Sequence, residues 1–279
     1  WRIGEIVVPF GMVNSHHEPS QYFTLERSLS ETTLIPSTWH ETGVELYGSL
    51  GQFRYQAQLV SSLDSSGFSG YGFVSAGQQG KLEFRNADDL ALLARLDYAP
   101  LPGIMVGGAL YYGDSAGNRP RQNLNVSAVV SLMELHGRYE RGPLTVRGQY
   151  FCGEIDNADR VTQANFTTFN AGTLGVSKTP VGSRAEAWFI EAGYDLFALF
   201  DGMKGRLDAF ARYETYDSHA DTAGTIVRNP RYEREATTFG VNYKPRPGIV
   251  VKGEYSHRTH AGAVGNEQDF VGVGVGFEF

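Results

Sequence analysis

Apolar and polar residues alternate along most of this chain, with a period of two residues rather than the 3.6 of an α-helix. In the stretch 52–59 (QFRYQAQL), Gln and Arg alternate with Phe, Tyr, Ala and Leu. On a β-strand this pattern gives one polar and one apolar face. The alternation predicts about twelve strands, near residues 2–9, 41–49, 52–62, 89–99, 103–113, 127–140, 144–155, 184–200, 204–217, 235–245, 249–260 and 269–279.

The predicted strands are long, most of them about 9–13 residues. A tilted strand needs ~9–11 residues to cross the hydrocarbon of a membrane, whereas strands of soluble proteins usually have ~5–6. We therefore predict an all-β fold, a transmembrane antiparallel up-and-down β-barrel that forms one domain over residues 1–279. The alternative, a soluble sandwich or propeller, would need a second sheet to cover the apolar faces, and no blade-like repeat of ~40–50 residues is visible.

The connections between the predicted strands alternate between short and long. The short ones are rich in Gly and Pro, as tight hairpin turns are, and span 49–51, 99–103, 141–143, 201–205 and 245–248. The long ones are rich in Ser, Asn, Asp, Gly and Thr, and span 10–39, 63–88, 114–126, 156–183, 218–234 and 261–268. Outer-membrane barrels have short periplasmic turns and long external loops. The predicted location is therefore the outer membrane of a Gram-negative bacterium, with lipid and lipopolysaccharide around the barrel.

Aromatic residues recur at apolar-face positions just before the short turns. Rings at this level would lie half in lipid and half in water, as in the aromatic girdles of outer-membrane barrels. The predicted girdle consists of Tyr98, Tyr139, Phe200, Tyr243, Phe277 and Phe279. Tyr47 breaks the pattern, because its position matches that of Glu45 rather than Leu46, which predicts a β-bulge in that strand.

Composition excludes several other classes of protein. The chain has 279 residues and a net charge of −7, and it lacks the basic stripe of a nucleic-acid-binding protein. Its single cysteine rules out an internal disulfide framework and a Cys-based zinc cluster. No apolar run approaches the ~20 residues of a spanning helix. The chain begins at Trp1, inside a predicted strand and without a signal peptide, so we expect that a leader was removed or that an N-terminal part precedes it.

If the apolar faces meet lipid, the polar faces line the lumen. The alternation then places eight basic residues inside, namely Arg54, Arg95, Arg138, Arg147, Arg206, Arg212, Lys244 and Lys252. It also places eight acidic residues inside, namely Asp97, Glu134, Glu140, Glu191, Asp195, Asp208, Glu214 and Glu254. Because the two signs balance, we predict an amphoteric wall of neighbouring ion pairs rather than the basic excess of an anion-selective constriction.

Inward glycines on the last predicted strand, Gly272, Gly274 and Gly276, leave a stripe without side chains. Glycine in a strand often marks the close approach of another segment. The stripe would therefore widen the lumen or admit an inserted loop. The long loops 63–88 and 156–183 are the predicted candidates for the loop that narrows the pore, and the sequence does not choose between them.

Three short stretches resemble sites of other kinds. Residues 16–18 (HHE) have no further histidine nearby, and adjacent residues on an extended chain point apart. Residues 156–159 (DNAD) resemble part of a calcium loop but lack its glycine and its distal glutamate. Ser256, His257 and His260 suggest a barrel hydrolase, but a serine next to its own histidine points to the opposite face of the strand. We therefore predict no enzyme, no metal and no cofactor.

The first part of the chain resembles a known family. Residues 4–11 (GEIVVPFG) are followed by 23–27 (FTLER), 42–48 (TGVELYG) and 55–59 (YQAQL). This order is similar to that of the phosphate-selective porin family of Gram-negative outer membranes, although Glu5 stands where the family usually has glutamine. Members have about sixteen strands and form trimers, and the strand with Pro-Phe-Gly is about the fifth. The resemblance implies that four strands precede this chain, with a complete twelve-strand barrel as the alternative. The balanced charges give no reason to carry over the phosphate preference.

These patterns predict a porin, a passive diffusion channel for small hydrophilic solutes or ions that needs no cofactor. The family resemblance implies that it acts as a homotrimer. The second hypothesis is a structural or partner-binding outer-membrane barrel with a plugged lumen. A barrel hydrolase is the third hypothesis, and a nucleic-acid partner is not expected.

Overall fold

The computed structural model describes residues 1–12, 14, 18–79, 86–169 and 178–278, and the side chains of 167–169 lie outside that description. Within these residues it contains one sheet of twelve antiparallel strands, in which each strand pairs with its neighbours in the sequence. The strands are β1 (Arg2–Val7), β2 (His40–Leu50), β3 (Phe53–Ser61), β4 (Leu90–Leu101), β5 (Ile104–Asp114), β6 (Val129–Arg141), β7 (Leu144–Ile155), β8 (Arg184–Asp195), β9 (Arg206–Asp221), β10 (Glu233–Arg246), β11 (Ile249–His260) and β12 (Glu267–Phe277). The predicted all-β, up-and-down architecture is confirmed.

The strands differ from the predicted ones mainly at their ends. β8 stops at Asp195, short of the predicted residue 200, because Leu196–Leu199 form a turn of 3-10 helix. The Asp195 side chain caps this turn by accepting the Phe197 backbone N–H at 3.1 Å. β9 continues to Asp221, beyond the predicted end at residue 217. Strand ends depend on capping and pairing contacts that alternation alone does not encode.

Each short turn contains a glycine in the left-handed region of φ, which side chains rarely adopt. These glycines are Gly51, Gly103, Gly142, Gly202 and Gly248, with φ between +61° and +82°. At Gly103 space is also short, because a Cβ there would lie 2.0 Å from the Glu140 carbonyl oxygen. The glycines explain how successive strands connect through so few residues.

The predicted bulge at Tyr47 is wrong. Residues 43–50 of β2 pair with residues 60–53 of β3 without a change of register. Tyr47 therefore lies on the same face as Glu45, and the Arg2 guanidinium stacks over its ring at 4.3 Å. Arg2 also pairs with Glu45 at 3.3 Å. A cation on the neighbouring strand, rather than a bulge, accounts for an aromatic residue at a polar-face position.

The sheet curls around its first long loop, residues 8–39. Trp39 packs on Tyr111 of β5 with ring centroids 5.0 Å apart. Phe23 stacks on Phe210 of β9 at 5.3 Å. Because one loop contacts strands that lie far apart in the sheet, the face that carries these contacts is concave. We call it the inner face and the opposite face the outer face.

The outer face is apolar and exposed, whereas the inner face is polar and buried. On β4, Leu92 and Leu96 are 61% and 53% exposed, but Arg95 and Asp97 are only 8% and 9% exposed. A half-buried sheet of a soluble protein has the reverse arrangement, with its apolar face covered and its polar face in water. The outer face therefore suits hydrocarbon, and the inner face suits a polar lumen.

The loops form an apolar core inside the sheet, at the end that carries the long connections (the long-loop end). Phe10, Trp39, Phe68 and Phe73 are fully buried there, and Tyr111 is 1% exposed. Phe10 and Trp39 meet edge to face at 6.1 Å between ring centroids. Side chains of the first two long loops thus fill much of the space between the strands at this end. The opposite end, with the tight turns, is the short-turn end.

Two α-helices lie within the described parts of the long loops, α1 (Leu29–Leu34) and α2 (Ala158–Phe169). The Ser28 side chain caps α1 by accepting the Glu31 backbone N–H at 3.3 Å. Neither helix is long and apolar enough to span a membrane.

β1 and β12 form the two edges of the sheet. Within the residues that the structure describes, β1 pairs with β2 alone and β12 with β11 alone. A free strand edge leaves backbone N–H and C=O groups unpaired, and in hydrocarbon such groups must be paired. Whether the closed barrel has twelve or sixteen strands stays a prediction.

We predict that an arginine on the outer face destabilises the protein according to its depth in the membrane. Leu96→Arg, midway along β4, should lower the free energy of unfolding by about 2–4 kcal/mol in lipid vesicles, because it places a cation in hydrocarbon. Leu90→Arg, on the same face at the long-loop end of the same strand, is the matched control and should cost about 0–1 kcal/mol. Urea titration of the vesicle-embedded protein measures both losses. Equal losses at the two positions would show that this face does not meet hydrocarbon.

Candidate lumen and constriction

The structure places all sixteen charged residues that were predicted inside on the inner face of the sheet. Ten of them are 9% exposed or less, namely Arg95, Asp97, Glu134, Arg147, Glu191, Asp208, Arg212, Glu214, Lys252 and Glu254. The other six lie closer to the short turns and are more exposed, namely Arg54, Arg138, Glu140, Asp195, Arg206 and Lys244. The inner face therefore buries most of its charges, so each needs a partner within the protein.

Four side chains on β4 and β6 form one hydrogen-bonded group, the His136 cluster, which consists of Arg95, Asp97, Glu134 and His136. Arg95 Nε donates to both Asp97 carboxylate oxygens at 3.1 Å. His136 Nε2 lies 3.0 Å from Asp97 Oδ1, and its Nδ1 lies 3.0 Å from Glu134 Oε2. Both ring nitrogens thus face carboxylates. A protonated imidazole would donate to both and, together with Arg95, balance the two acids.

The His136 cluster reaches across β5 at Gly107, where no side chain intervenes. A Cβ at Gly107 would lie 2.3 Å from Asp97 Oδ1 and 2.8 Å from His136 Nε2. The sequence prediction missed His136, although it stands two residues after Glu134 and therefore shares its face. Counting only permanently charged side chains leaves such a histidine out.

The His136 cluster also holds the start of the first long loop. Arg95 Nη1 donates to the Pro9 carbonyl at 3.1 Å and to the Gly11 carbonyl at 2.8 Å. Nearby, the Met12 backbone N–H donates to Gln149 Oε1 of β7 at 2.8 Å. Buried backbone groups require such partners. The point where the chain leaves β1 is thereby attached to both β4 and β7.

Glu191 of β8 bridges two arginines deeper in the sheet. Its Oε1 lies 2.7 Å from Arg147 Nε, and its Oε2 accepts from Arg212 Nε at 2.9 Å. Glu191 is 2% exposed and Arg212 is 3% exposed. A carboxylate between two guanidinium groups bonds to both of them and neutralises one of their two positive charges. We call this group the arginine bridge.

Residues 18–27 of the first long loop, the inserted segment, run along the inner face of β10–β12. Asn242 Nδ2 of β10 donates to the Phe23 carbonyl at 2.9 Å. The Leu25 backbone N–H donates to Glu254 Oε2 of β11 at 2.7 Å. The wall therefore contacts the backbone of the segment. Asn242 donates to one backbone carbonyl, and Glu254 accepts from one backbone N–H.

Two lysines of the wall hold the inserted segment in the same way. Lys244 Nζ donates to the Ser20 carbonyl at 3.0 Å, and Lys252 Nζ donates to the Tyr22 and Thr24 carbonyls at 2.7 Å each. The Lys252 ammonium also lies 4.0 Å from the centroid of the Tyr22 ring. Burial raises the pKa of the Tyr22 hydroxyl above its usual range. The two lysines thus bond to every second residue of this stretch of the segment, namely Ser20, Tyr22 and Thr24.

The glycine stripe on β12 makes room for the inserted segment. A Cβ at Gly272 or Gly274 would lie 2.4 or 2.8 Å from the Leu25 side chain. A Cβ at Gly276 would lie 2.5 Å from Pro19 Cβ. The sequence left open whether the stripe widens the lumen or admits a loop, and the structure shows a loop against it.

Within the described residues the first long loop, rather than 63–88 or 156–183, reaches the short-turn end, and which loop narrows the pore stays a prediction. The other two loops pack together at the long-loop end, where Asn165 Nδ2 donates to the Ser65 carbonyl at 3.2 Å. The parts of them that lie outside the described residues are 80–85 and 170–177.

A cavity of about 600 Å³ lies between the inserted segment and the inner face near the short turns. Its charged lining residues are Arg138, Arg147, Arg206, Lys244, Glu140 and Asp208. Arg206 Nε pairs with Asp208 Oδ1 at 2.7 Å, and Arg138 pairs with Glu140. Four basic and two acidic groups give this end of the lumen a local basic excess, which the balanced total predicted from the sequence does not reveal.

The residues that suggested a hydrolase do not converge. Ser256 lies on the inner face, 1% exposed, with its hydroxyl 2.9 Å from that of Thr238. His257 lies on the outer face, where its Nδ1 is 2.8 Å from Asp269 Oδ1. His260 Nε2 lies 2.9 Å from a backbone carbonyl of the following loop. Nucleophilic catalysis needs a serine and a histidine within hydrogen-bond reach, and these two point apart.

The other two stretches that resemble sites of other kinds are residues 16–18 and 156–159. His16 and His17 lie outside the described residues. Residues 156–159 lead from β7 into α2, and Asn157 has a φ of +54° at the bend. Over the described ranges, no group of three His, Cys, Asp or Glu side chains is arranged to hold a metal ion.

The outer face carries two rows of aromatic residues. Of the predicted girdle, the structure places Tyr98, Tyr139, Phe200, Tyr243 and Phe277 near the short-turn end, and Phe279 lies outside the described residues. A second row lies closer to the middle of the strands, namely Tyr112, Tyr150, Trp188, Tyr213 and Tyr255. Trp188 and Tyr213 touch, with ring centroids 5.3 Å apart. The sequence prediction missed the second row, although its members share the apolar-face register of the first.

The chain is similar to a protein of unknown role and to several porins of known structure. An uncharacterised protein of Aquifex aeolicus (strain VF5) is 27% identical over 259 residues, which cover 91% of this chain and 57% of that protein. The chain thus spans a little over half the length of this curated relative. No protein-family model matches the chain. The resemblance to the phosphate-selective porin family therefore stays a prediction.

Two solved structures share the fold. An anion-selective porin from Comamonas acidovorans superposes with a TM-score of 0.55 and 11% identity, covering 99% of this chain and 70% of that one. A loop-deletion mutant of OmpT, an outer-membrane protein of Vibrio cholerae, superposes with a TM-score of 0.54 and 13% identity, covering 99% and 74%. At such low identity these likenesses show the fold alone, which is that of outer-membrane porins.

We predict that the arginine bridge is a main source of stability. Glu191→Gln should lower the free energy of unfolding by about 3–5 kcal/mol, because it leaves Arg147 and Arg212 buried without their anion. Glu140→Gln is the matched control, since its ion pair with Arg138 is partly exposed and should contribute about 1 kcal/mol or less. Urea unfolding in detergent micelles measures both. A loss of less than about 1 kcal/mol for Glu191→Gln would show that water or other groups compensate the arginines.

Proposed function

We propose that the chain forms the wall of an outer-membrane porin, a passive diffusion channel for small hydrophilic solutes or ions in a Gram-negative bacterium. The observation that carries the proposal is the division of the sheet into an exposed apolar outer face and a charged inner face. The aromatic row near the short-turn end of the outer face supports it, as does the fold shared with porins of known structure. The channel needs no cofactor, because gradients drive the solutes.

In this proposal the long-loop end faces the outside of the cell and the short-turn end faces the periplasm. The inserted segment then sets the bore, because it is the part of the described loops that reaches the cavity near the short turns. Solutes pass between the segment and the charged wall. Lipid and lipopolysaccharide surround the outer face.

A homotrimer is the proposed assembly. The resemblance to the phosphate-selective porin family implies trimers, and the in-vitro folded OmpT of Vibrio cholerae, solved in its trimer form, shares the fold with a TM-score of 0.51. We do not extend the resemblance to phosphate selectivity, because most charges of the inner face are paired with one another.

The second candidate function is a plugged barrel that holds a partner through its long loops. The observation that favours it is the apolar core at the long-loop end, where Phe10, Trp39, Phe68 and Phe73 are fully buried. A core of this kind blocks the route that a solute would take through that part of the lumen. The ionic conductance of the reconstituted protein distinguishes the porin, which conducts, from the plugged barrel, which does not.

We predict that the full chain, refolded and reconstituted into planar bilayers, gives discrete steps of ionic current. The reason is that a lumen lined with charges and containing water conducts ions down a potential gradient. Retained resistance to protease in the same preparation is the control for folding. Folded protein that leaves the bilayer silent would contradict the porin and favour the plugged barrel.

We also predict that the lysine contacts hold the inserted segment in place. The double change Lys244→Met and Lys252→Met removes three hydrogen bonds that charged amines donate. Each of these bonds contributes about 1.5–3 kcal/mol. The freed segment should raise the conductance and the current noise, and trypsin should cleave faster after Arg27.

Lys204→Met, in an exposed short turn, is the control for lost charge and should change neither readout. Cleavage after Arg27 does not require a conducting channel, so it tests the contacts even if the bilayer is silent. Equal cleavage rates in the double variant and the control would show that other contacts hold the segment.

A further inference from the structure

Three arginines at the long-loop end of β10 and β11 lack the acidic partners that most other inner-face arginines have. These mouth arginines are Arg231, Arg234 and Arg258. Within the described part of the chain none of them forms an ion pair with a carboxylate. The arginines deeper in the sheet do so at 3.1 Å or less, namely Arg95, Arg147, Arg206 and Arg212.

Two of the mouth arginines, Arg234 and Arg258, lie on neighbouring strands, and the backbone of Arg231 adjoins Arg234. Arg234 stands opposite His260 and Arg258 stands opposite Ala236 in the β10–β11 pairing, so the two arginines are diagonal neighbours ~7–8 Å apart at the backbone. Arg234 Nε donates to the Arg231 carbonyl at 3.2 Å. Like charges at this distance repel one another, so the group favours an anion among them.

Aromatic rings hold two of these guanidinium groups. Arg234 lies 4.2 Å over the ring of Tyr71 and 5.6 Å over that of Tyr216, and its Nη1 is buried without a hydrogen-bond partner. Arg258 lies 5.1 Å over the ring of Phe270. Stacking fixes the planes of the guanidinium groups and leaves N–H donors unused. A buried donor without an acceptor costs ~1–3 kcal/mol, which an anionic ligand would offset.

The nearest acidic residues are turned away or already engaged. Glu233 pairs with Arg228 at 2.9 Å. Glu235 and Asp269 occupy positions of the outer face. Glu254 accepts a backbone N–H from the inserted segment at 2.7 Å. Glu214 of β9, which is diagonal to Arg234 on the inner face, accepts the Ser30 backbone N–H at 3.1 Å. These carboxylates are therefore turned away from the mouth arginines or bonded elsewhere.

We infer that the mouth arginines bind an organic di- or tricarboxylate at the entrance of the lumen. A planar guanidinium pairs with a carboxylate through two parallel hydrogen bonds. Arginines several ångströms apart suit a ligand whose carboxylates are also separated, whereas a compact anion reaches fewer of them at once. The inference rests on the proposed function only in that the ligand arrives from the outer side through the channel mouth.

Calorimetry on the full chain, folded in detergent micelles at constant ionic strength, tests the inference. Citrate is the probe, and acetate and inorganic phosphate are the comparison anions. We expect saturable citrate binding that weakens about tenfold or more in Arg234→Gln and in Arg258→Gln. Arg258→Lys keeps the charge but loses the planar fork, so it should weaken binding less. Arg246→Gln removes a charge from the short-turn end of the same strand and should leave the affinity unchanged.

Three results would overturn the inference. They are the absence of saturable citrate binding to folded protein, an equal loss in Arg246→Gln, and phosphate or acetate binding as tight as citrate. Unfolding curves of each variant show whether the protein remains folded. Because calorimetry does not require conduction, citrate binding with a silent bilayer would sink the porin alone, and a conducting channel without citrate binding would sink the mouth site alone.

Discussion

Burial of charge on the concave side of the sheet is the constraint on which the rest of the structure depends. A charge removed from water destabilises the protein unless a partner balances it. Glu191 pairs with Arg147 and Arg212, and Asp97 and Glu134 pair with Arg95 and His136. These bonds run between strands that are not always neighbours, so they hold the curvature of the sheet as well as its contents.

The same constraint explains why the inserted segment presents its backbone to the wall. Lys252 has the carbonyl oxygens of Tyr22 and Thr24 as acceptors, which stabilise an ammonium without adding an opposite charge. This contact requires a close approach, and glycines such as Gly272 allow it because a Cβ there would collide with Leu25. Wall and segment therefore depend on each other.

The strands and their two faces could be predicted from the sequence because alternation is a local property, and Leu96 beside Asp97 already shows which side each faces. The path of the first long loop could not be predicted from the sequence. Its contact from Lys252 to Thr24 joins residues 228 positions apart and leaves no periodic signal. The predicted bulge at Tyr47 was wrong for the same reason, since the cation that explains the position of this ring, Arg2, lies on another strand.

Pairing, rather than the number of charges, decides what a solute in the lumen would meet. Arg212 donates to Glu191 from both Nε and Nη2 and is 3% exposed, so it contributes to shape and stability more than to attraction. Arg258 bonds one hydroxyl through Nε and keeps its other donors for the lumen. A wall whose sixteen predicted charges balance can therefore still present a strongly positive surface at one place. The charge that a solute meets depends on the few charged side chains that lack a partner of opposite charge. These side chains can be identified only once the pairing register of every strand is known.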